Sequence, residues 1–366
     1  MPKVSVILPC YNVGEYIERC LLSLVNQTLT DIEIICVNDK STDNTWDIIT
    51  QYSDKDKRIV AIDLPQNSGA AVARNAGLKI ASGEYIGFVD PDDYVELNFF
   101  ESLYNRAVQT NAHVTKGNVK MHIADQICVP ELHNKVKQDI TNFSSSFWSA
   151  IYKRDFLLKH NIRFPDEIRT SQDVVFLAHV ILNVGVMSFV DDTFYHYFYQ
   201  RPGSLDSPTL THAKAQSKYN ASLIILELIK NAHLDPLALQ TFVKNHVVEH
   251  VMYNMSKKFE NPDDEKQMFD LICDLYATYF NTRHGRKYFS HNQLSYIKNK
   301  DYKKYIRHKQ LCGRRRYCLF GFIPLIRIDK YSDATFVFFS EFIPLFKISN
   351  KRIYLFNIVL LLKIKE

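Results

Sequence analysis

The sequence predicts an α/β fold: a mainly parallel sheet flanked by helices, then a helical region and a small apolar C-terminal module. Three observations carry this. The first hundred residues alternate short apolar runs with helical periods. The apolar runs end in loops rich in Asn, Asp and Ser. The last fifty residues drop both patterns for a short repeat of Ile, Leu, Phe and Pro.

Val4-Ser5-Val6-Ile7-Leu8 reads as the first strand, and Ile17, Leu21, Leu24 and Val25 mark one face of a helix. The continuous apolar run Ile32 to Val37 is a second strand. Ser41, Thr42 and Asp43 can cap a helix carrying Trp46, Ile49 and Tyr52. Ile59 to Leu64, an Ala-rich helix over Gly69 to Ala81, and Tyr85 to Val89 continue the winding. In open sheets of this kind the ligand sits outside the carboxyl ends of the strands, which singles out Pro9 to Asn12, Asn38-Asp39 and Asp90 to Asp93.

Residues from about Leu97 to Asp206 are mixed, with helical stretches near Phe99 to Gln109 and Val174 to Leu182. Thr211 to Tyr279 is helical in pattern. The tail repeats Ile323-Pro324-Leu325-Ile326-Arg327-Ile328, Ile343-Pro344-Leu345-Phe346-Lys347-Ile348 and Val359 to Ile364, as either a small β-rich layer or short interfacial segments.

A chain of 366 residues exceeds one simple core. Its seven scattered cysteines form no C-x-x-C pair and read as reduced, mostly buried thiols. No secretory signal pattern precedes the first strand, and no run approaches the roughly 18 apolar residues of a membrane-spanning helix. A cytoplasmic location is the expectation. The net charge of +5 is unevenly spread: Asn281 to Arg316 holds twelve Lys or Arg against Asp301, a local +11, so the other residues carry −6. One end of the chain is therefore suited to an anionic surface. Without a reader motif, this basic stretch does not indicate nucleic acid.

Asp90-Pro91-Asp92-Asp93 places three carboxylates in four residues at a strand end. Hard oxygen ligands of this sort suit Mg2+ or Mn2+, which share their shell with substrate phosphates. Taken alone, the cluster fits a solvated turn or helix cap equally well. Its company shifts the balance. Asp39 can accept from a uracil imide, Tyr11 offers a ring face, and Arg74 carries a planar fork for phosphate.

Val4 to Asn12, Val37 to Asp43, Asn67-Ser68-Gly69 through Ala73-Arg74-Asn75-Ala76-Gly77, and Gly83 to Asp93 together resemble family 2 glycosyltransferases of the GT-A fold. The resemblance covers residues 3 to 205. It implies that Pro9, Tyr11, Asn12 and Asp39 embrace the base of a UDP-sugar, that Arg74 lies near the diphosphate, that Asp90 faces ribose or metal, and that Asp92 coordinates Mn2+ or Mg2+. Lys40 departs from the family's usual glycine. Downstream, Ser171-Gln172-Asp173 is similar to the Glu-Asp pair that opens a helix, with Gln172 in place of Glu and Asp173 as the general base. The implied reaction is inversion at the anomeric carbon. As a bare residue Asp173 is also an ordinary helix cap. Tyr195 to Ser204 resembles the aromatic segment closing the catalytic half; His196 is a metal ligand or, more simply, a structural residue, and Trp148 is an acceptor floor or core packing.

The implied division is a donor-binding half over 1–97, an acceptor-binding half over 98–208, a helical region over 209–310 and a tail over 311–366. The tail is suited to an anionic membrane leaflet or to a second copy of the chain. The resemblance implies transfer of a hexose or N-acetylhexosamine to a glycan or glycolipid, in lipopolysaccharide, capsule or lipid-linked oligosaccharide assembly. Lys40 and Gln172 keep open two rivals: a nucleotide-sugar-binding protein without turnover, and a membrane scaffold led by the tail.

Overall fold

The apolar runs read from the sequence become strands at the centre of a curled sheet. The computed structural model describes residues 1–123, 126–130, 146–199, 209–230, 232, 236–248, 258–259, 261–282, 285–289 and 291–311, and by backbone alone five strands between 315 and 355. It divides into two compact units, Met1–Asp264 and Glu265–Glu366.

In the first unit, β1 (Val4–Cys10), β2 (Ile32–Asn38), β3 (Ile59–Asp63) and β4 (Tyr85–Phe88) pair in parallel in the order β3-β2-β1-β4. The helices between them are α1 (Ile17–Val25), α2 (Thr45–Lys55) and α3 (Ala70–Ile80). Val4, Val6, Ile7 and Leu8 are wholly buried because β1 is covered on both faces. The strand order reverses at β1, so a crevice opens at its carboxyl end between β2 and β4.

The second half of the sheet is mixed. β5 (Tyr94–Val95), β6 (Val114–Ile123), β7 (Gln126–Cys128), β8 (Ala150–Lys153) and β9 (Met187–Phe198) complete nine strands among the described residues. β8 runs antiparallel to both β4 and β6, while β9 runs parallel to β6 and antiparallel to β5. The register Tyr94↔His196 and Val95↔Tyr195 brings the end of β9 directly beside the loop after β4. Helix α4 (Phe99–Thr110) matches its sequence expectation, as does α5 (Gln172–Asn183). A longer helix, α6 (His212–Ile229), follows.

Two glycines fix how α3 sits. Gly69, at its start, has φ +94°, the left-handed region that glycine adopts without strain. A Cβ on Gly77 would stand 2.5 Å from Ile7 Cγ2, so only glycine lets α3 approach β1 this closely.

In the second unit, the helix Pro262–Leu275, which begins just before the boundary, buries Met268, Phe269 and Ile272. Phe269 stacks on Tyr305, ring centroids 5.1 Å apart. The tail backbone forms an antiparallel five-stranded sheet that includes Ile323–Lys330 and Ile343–Ser349, the first two repeats; Val359 to Ile364 lies outside the described residues. Among the described residues, no helix is long and apolar enough to cross a membrane.

Candidate active site

Two loops at the carboxyl ends of β1 and β2 interlock. Asn12 adopts φ 49°, a left-handed conformation that asparagine tolerates better than most residues. Its Oδ1 accepts from Thr42 N–H at 2.8 Å, while its own N–H donates to Ser41 Oγ at 3.1 Å. Tyr11 beside it is 45% exposed, which leaves its ring available for stacking, and Pro9 lies opposite Val37 in the ladder.

Asp39 is buried, and its Oδ1 and Oδ2 accept from Ser68 N–H (2.7 Å) and Gly69 N–H (2.8 Å) at the start of α3. Each oxygen keeps a second lone pair. Lys40 follows at φ 60°, so it takes up the backbone conformation for which glycine is suited. Its Nζ reaches Asp63 at 3.0 Å. That exposed pair contributes about 0–1 kcal/mol.

The three carboxylates after β4 have different fates. Asp90 pairs with Arg74 at 2.7 Å, and the guanidinium lies over Phe147 (4.9 Å) and Phe164 (5.3 Å). Arg74 is 7% exposed, so removing Asp90 would strand a buried cation, at a cost of about 3–5 kcal/mol. This pair therefore outweighs the Lys40 one. Asp92 is half-buried at the loop surface. Asp93 turns inward: its Oδ2 accepts from Tyr195 Oη at 2.9 Å and its Oδ1 from Phe198 N–H at 2.9 Å. Burial, reinforced by Asp92 and Asp90, pushes its carboxyl well above the ordinary range.

Tyr195 does more than hold Asp93, because its hydroxyl also accepts the Asp90 N–H at 3.0 Å. From α1, Arg19 donates to the Asp92 carbonyl at 2.6 Å and stacks over Phe198 at 4.0 Å. The Asp90–Asp93 loop is thus clamped from two sides. Neither clamp residue was singled out in the sequence: Arg19 looks like the polar face of an amphipathic helix, and Tyr195 is one aromatic in a run of five.

Asp173 opens α5 after Ser171, whose φ of 63° turns the chain sharply into the helix. Desolvation pushes the Asp173 carboxyl up, opposed by the positive charges of Arg74 and Lys218. Arg74 consequently acts on both Asp90 and Asp173, although these lie on separate segments.

Mg2+ and Mn2+ take one or two carboxylates plus phosphate oxygens and water. Asp90 and Asp92 fit that demand from the protein side. Asp93 does not, because it is turned into the interior, 1% exposed, with burial opposing its charged form. Among the described residues no three His, Cys, Asp or Glu side chains form a protein-only cage. At His196, Nδ1 lies 2.9 Å from His122 Nε2, Nε2 lies 3.4 Å from Glu96 Oε1, and the ring stacks on Tyr94. Trp148 is buried against Tyr195 and Tyr197, with ring centroids 4.1 and 5.1 Å away. Gln200 to Ser204, the end of the aromatic segment, lie outside the described residues.

Lys116 likewise carries no signal in the sequence. It is 1% exposed, and its Nζ donates to Ser146 Oγ at 2.7 Å and to Ser149 Oγ, bracing the turn that carries Phe147 and Trp148. Burial lowers its pKa to about 7.

A sheet of this order, with Asp39 and Asp90 to Asp93 in the loops at the carboxyl ends of β2 and β4, has the GT-A type of α/β fold. Residues 5–157 match the profile of glycosyl transferase family 2. The uncharacterized glycosyltransferase EpsJ of Bacillus subtilis is 30% identical over 311 residues, covering 80% of this chain and 89% of that one. The chain belongs to glycosyl transferase family 2. The poly(ribitol-phosphate) beta-glucosyltransferase of Bacillus spizizenii is 31% identical over 285 residues, 75% of this chain but only 44% of that longer protein. Among solved structures, S. aureus TarS 1-349 in complex with UDP superposes with a TM-score of 0.70 at 24% identity, covering 93% of this chain and 98% of that one.

Proposed function

We propose that this chain is an inverting glycosyltransferase that moves a hexose or N-acetylhexosamine from a UDP-sugar to a hydroxyl of a bacterial glycan or glycolipid. The observation that carries the reading is Arg74: it pairs with Asp90 on the donor loop while its charge acts on Asp173. A donor site and a base are thereby electrostatically joined across two segments.

In this reading Pro9, Tyr11, Asn12 and Asp39 hold the base, and Tyr11 supplies the stacking face. Asp90 and Asp92 hold a divalent cation, which supplies positive charge to the departing diphosphate. Arg74 keeps Asp90 oriented. Asp173 takes the proton of the attacking hydroxyl on the face opposite the leaving group, so an α-linked donor gives a β-linked product. A carboxyl raised by burial is a stronger base than an ordinary one. One relative is named for poly(ribitol phosphate), and TarS is crystallised with UDP and with UDP-GlcNAc, which supports a UDP-sugar donor. The acceptor in this reading is a cell-envelope polymer or its lipid-linked precursor, lipopolysaccharide and capsule included.

Lys40 gives little support to a protein that binds without turnover, because its side chain is turned to Asp63. Incubation with manganese and a panel of UDP-sugars tests the choice. Acceptor-dependent UDP release from at least one donor is expected; UDP binding without release from any donor would favour the rival. The basic segment and tail serve as a peripheral attachment to an anionic inner leaflet, or as a contact between copies. Liposome binding at low salt should fall when residues 314–366 are removed, and unchanged binding would dismiss the attachment.

A further inference from the structure

Arg74 and Asn75 are consecutive residues on α3, yet they grip different segments. Arg74 takes Asp90, at 2.7 Å, on the loop after β4. Asn75 takes the chain that leads into α5: its Oδ1 accepts the Phe164 N–H at 3.0 Å, and its Nδ2 donates to the Phe164 carbonyl at 2.8 Å and to Asp166 Oδ1 at 2.6 Å. One amide thus pairs both main-chain groups of Phe164, as a strand neighbour would, in a stretch that belongs to no helix or strand. Asparagine is a poorer helix former than alanine, so its place at the middle of the Ala-rich α3 is not explained by the helix itself. The explanation lies in partners 89 and 91 residues away.

The residue held in this way is itself a junction. The Phe164 ring is wholly buried and lies parallel to Phe176, with 5° between the planes and centroids 4.3 Å apart. Phe176 stands on α5 three residues after Asp173, which is about one helical turn. The same ring meets Phe88, the last residue of β4, edge-on at 5.3 Å, and the Arg74 guanidinium at 5.3 Å. Phe164 is therefore a ring through which α5 packs against both α3 and the strand that ends at the donor loop.

We propose that Asn75 is a positioning residue for the transfer reaction: by fixing Phe164 against Phe176, it sets where Asp173 stands relative to a donor held at Asp90. The inference rests on Asp173 as the base, the reading given above. Proton removal by a base depends steeply on its placement, and a shift of about 1 Å can cost about 10²-fold in rate. Asn75 makes its bonds to Phe164 and Asp166 rather than to the donor loops, so its loss should spare donor binding. Two adjacent side chains of one helix then divide the work, Arg74 orienting the donor loop and Asn75 the helix of the base.

The test uses the full chain, with the donor and acceptor that give UDP release, and compares Asn75→Ala, Asp173→Asn and the two combined. Asn75→Ala should lower kcat about 10- to 100-fold and leave UDP affinity unchanged. In the Asp173→Asn background the same change should have less than about a twofold further effect, because a residue that acts through the base has nothing left to place. Exchanging the amide and the acid, Asn75→Asp with Asp166→Asn, restores a hydrogen bond between the two positions and should turn over faster than Asn75→Asp alone, which sets two carboxylates face to face. That comparison decides the matter where Asn75→Ala fails to fold, and equal rates would overturn the proposal. Wild-type kcat in Asn75→Ala, a loss of UDP affinity in step with kcat, or full multiplication of the two defects in the combined variant would overturn it while leaving Asp173 as the base. Wild-type turnover by Asp173→Asn would remove the base and the positioning role together.

Discussion

Asp90, Asp92 and Asp93 are indistinguishable as letters, yet the fold gives each a different chemical environment. Asp93 is consumed by Tyr195 and the Phe198 N–H, while Asp90 answers Arg74 and Asp92 stays at the surface. Tyr195→Phe tests this division. It removes the acceptor of the Asp90 N–H and the donor to a buried carboxylate oxygen, which should cost about 1–3 kcal/mol. A lowered melting temperature and weaker manganese activation, with the acceptor KM little changed, are expected. Unaltered manganese dependence would show that the clamp does not position the loop. Asp39 and the acidic cluster were legible because charged residues at strand ends have few structural reasons to be there, and Arg74 because a long cation stands out in an Ala-rich helix. Tyr195, Arg19 and Lys116 were not, since what sets them apart is a partner brought from 73 to 105 residues away or, for Lys116, near-complete burial.

The elements show the same boundary between local and distant information. β1 to β4 and α1 to α3 follow from period and length alone; the structure shifts their ends by one or two residues, and α2 starts behind Asn44, one residue past the capping candidates Ser41 to Asp43. Helix α5 begins two residues earlier than its apolar period, because Gln172 and Asp173 are polar first-turn residues that carry no period. β6 and β9 were hidden in a stretch that reads as mixed. Their neighbours differ along their length: β6 pairs with β8 at one end and β7 at the other, so neither strand keeps one buried face throughout. The tail repeats left a β-rich layer and interfacial segments equally open, and the backbone forms strands there. Gly77 and Gly69 show how an element is placed rather than formed. The helix would exist with alanine at 77, but it could not sit at its present distance from Ile7.

At the scale of the whole molecule, the proposed site needs two distant pieces of chain. In that reading the donor loops come from residues 9–93 and the base from α5, with Arg74 ion-paired to Asp90 and its charge opposing the burial-driven rise of the Asp173 carboxyl. Family membership, shown by the profile match and by a relative covered along most of its length, accounts for the first piece. The profile ends at residue 157, before the base. The claim most in need of test is therefore that Asp173 drives turnover at a donor site it does not itself build. The decisive measurement compares Asp173→Asn with the wild-type chain by UDP binding and by acceptor-dependent UDP release across pH. Unchanged UDP affinity and a fall in kcat of about 10²–10⁴-fold are expected. The wild-type acidic limb should lie above the ordinary carboxylate pKa, since burial raises the base and activity is lost as pH falls through that raised value. Wild-type turnover by the Asn variant, or a parallel loss of UDP binding, would contradict it.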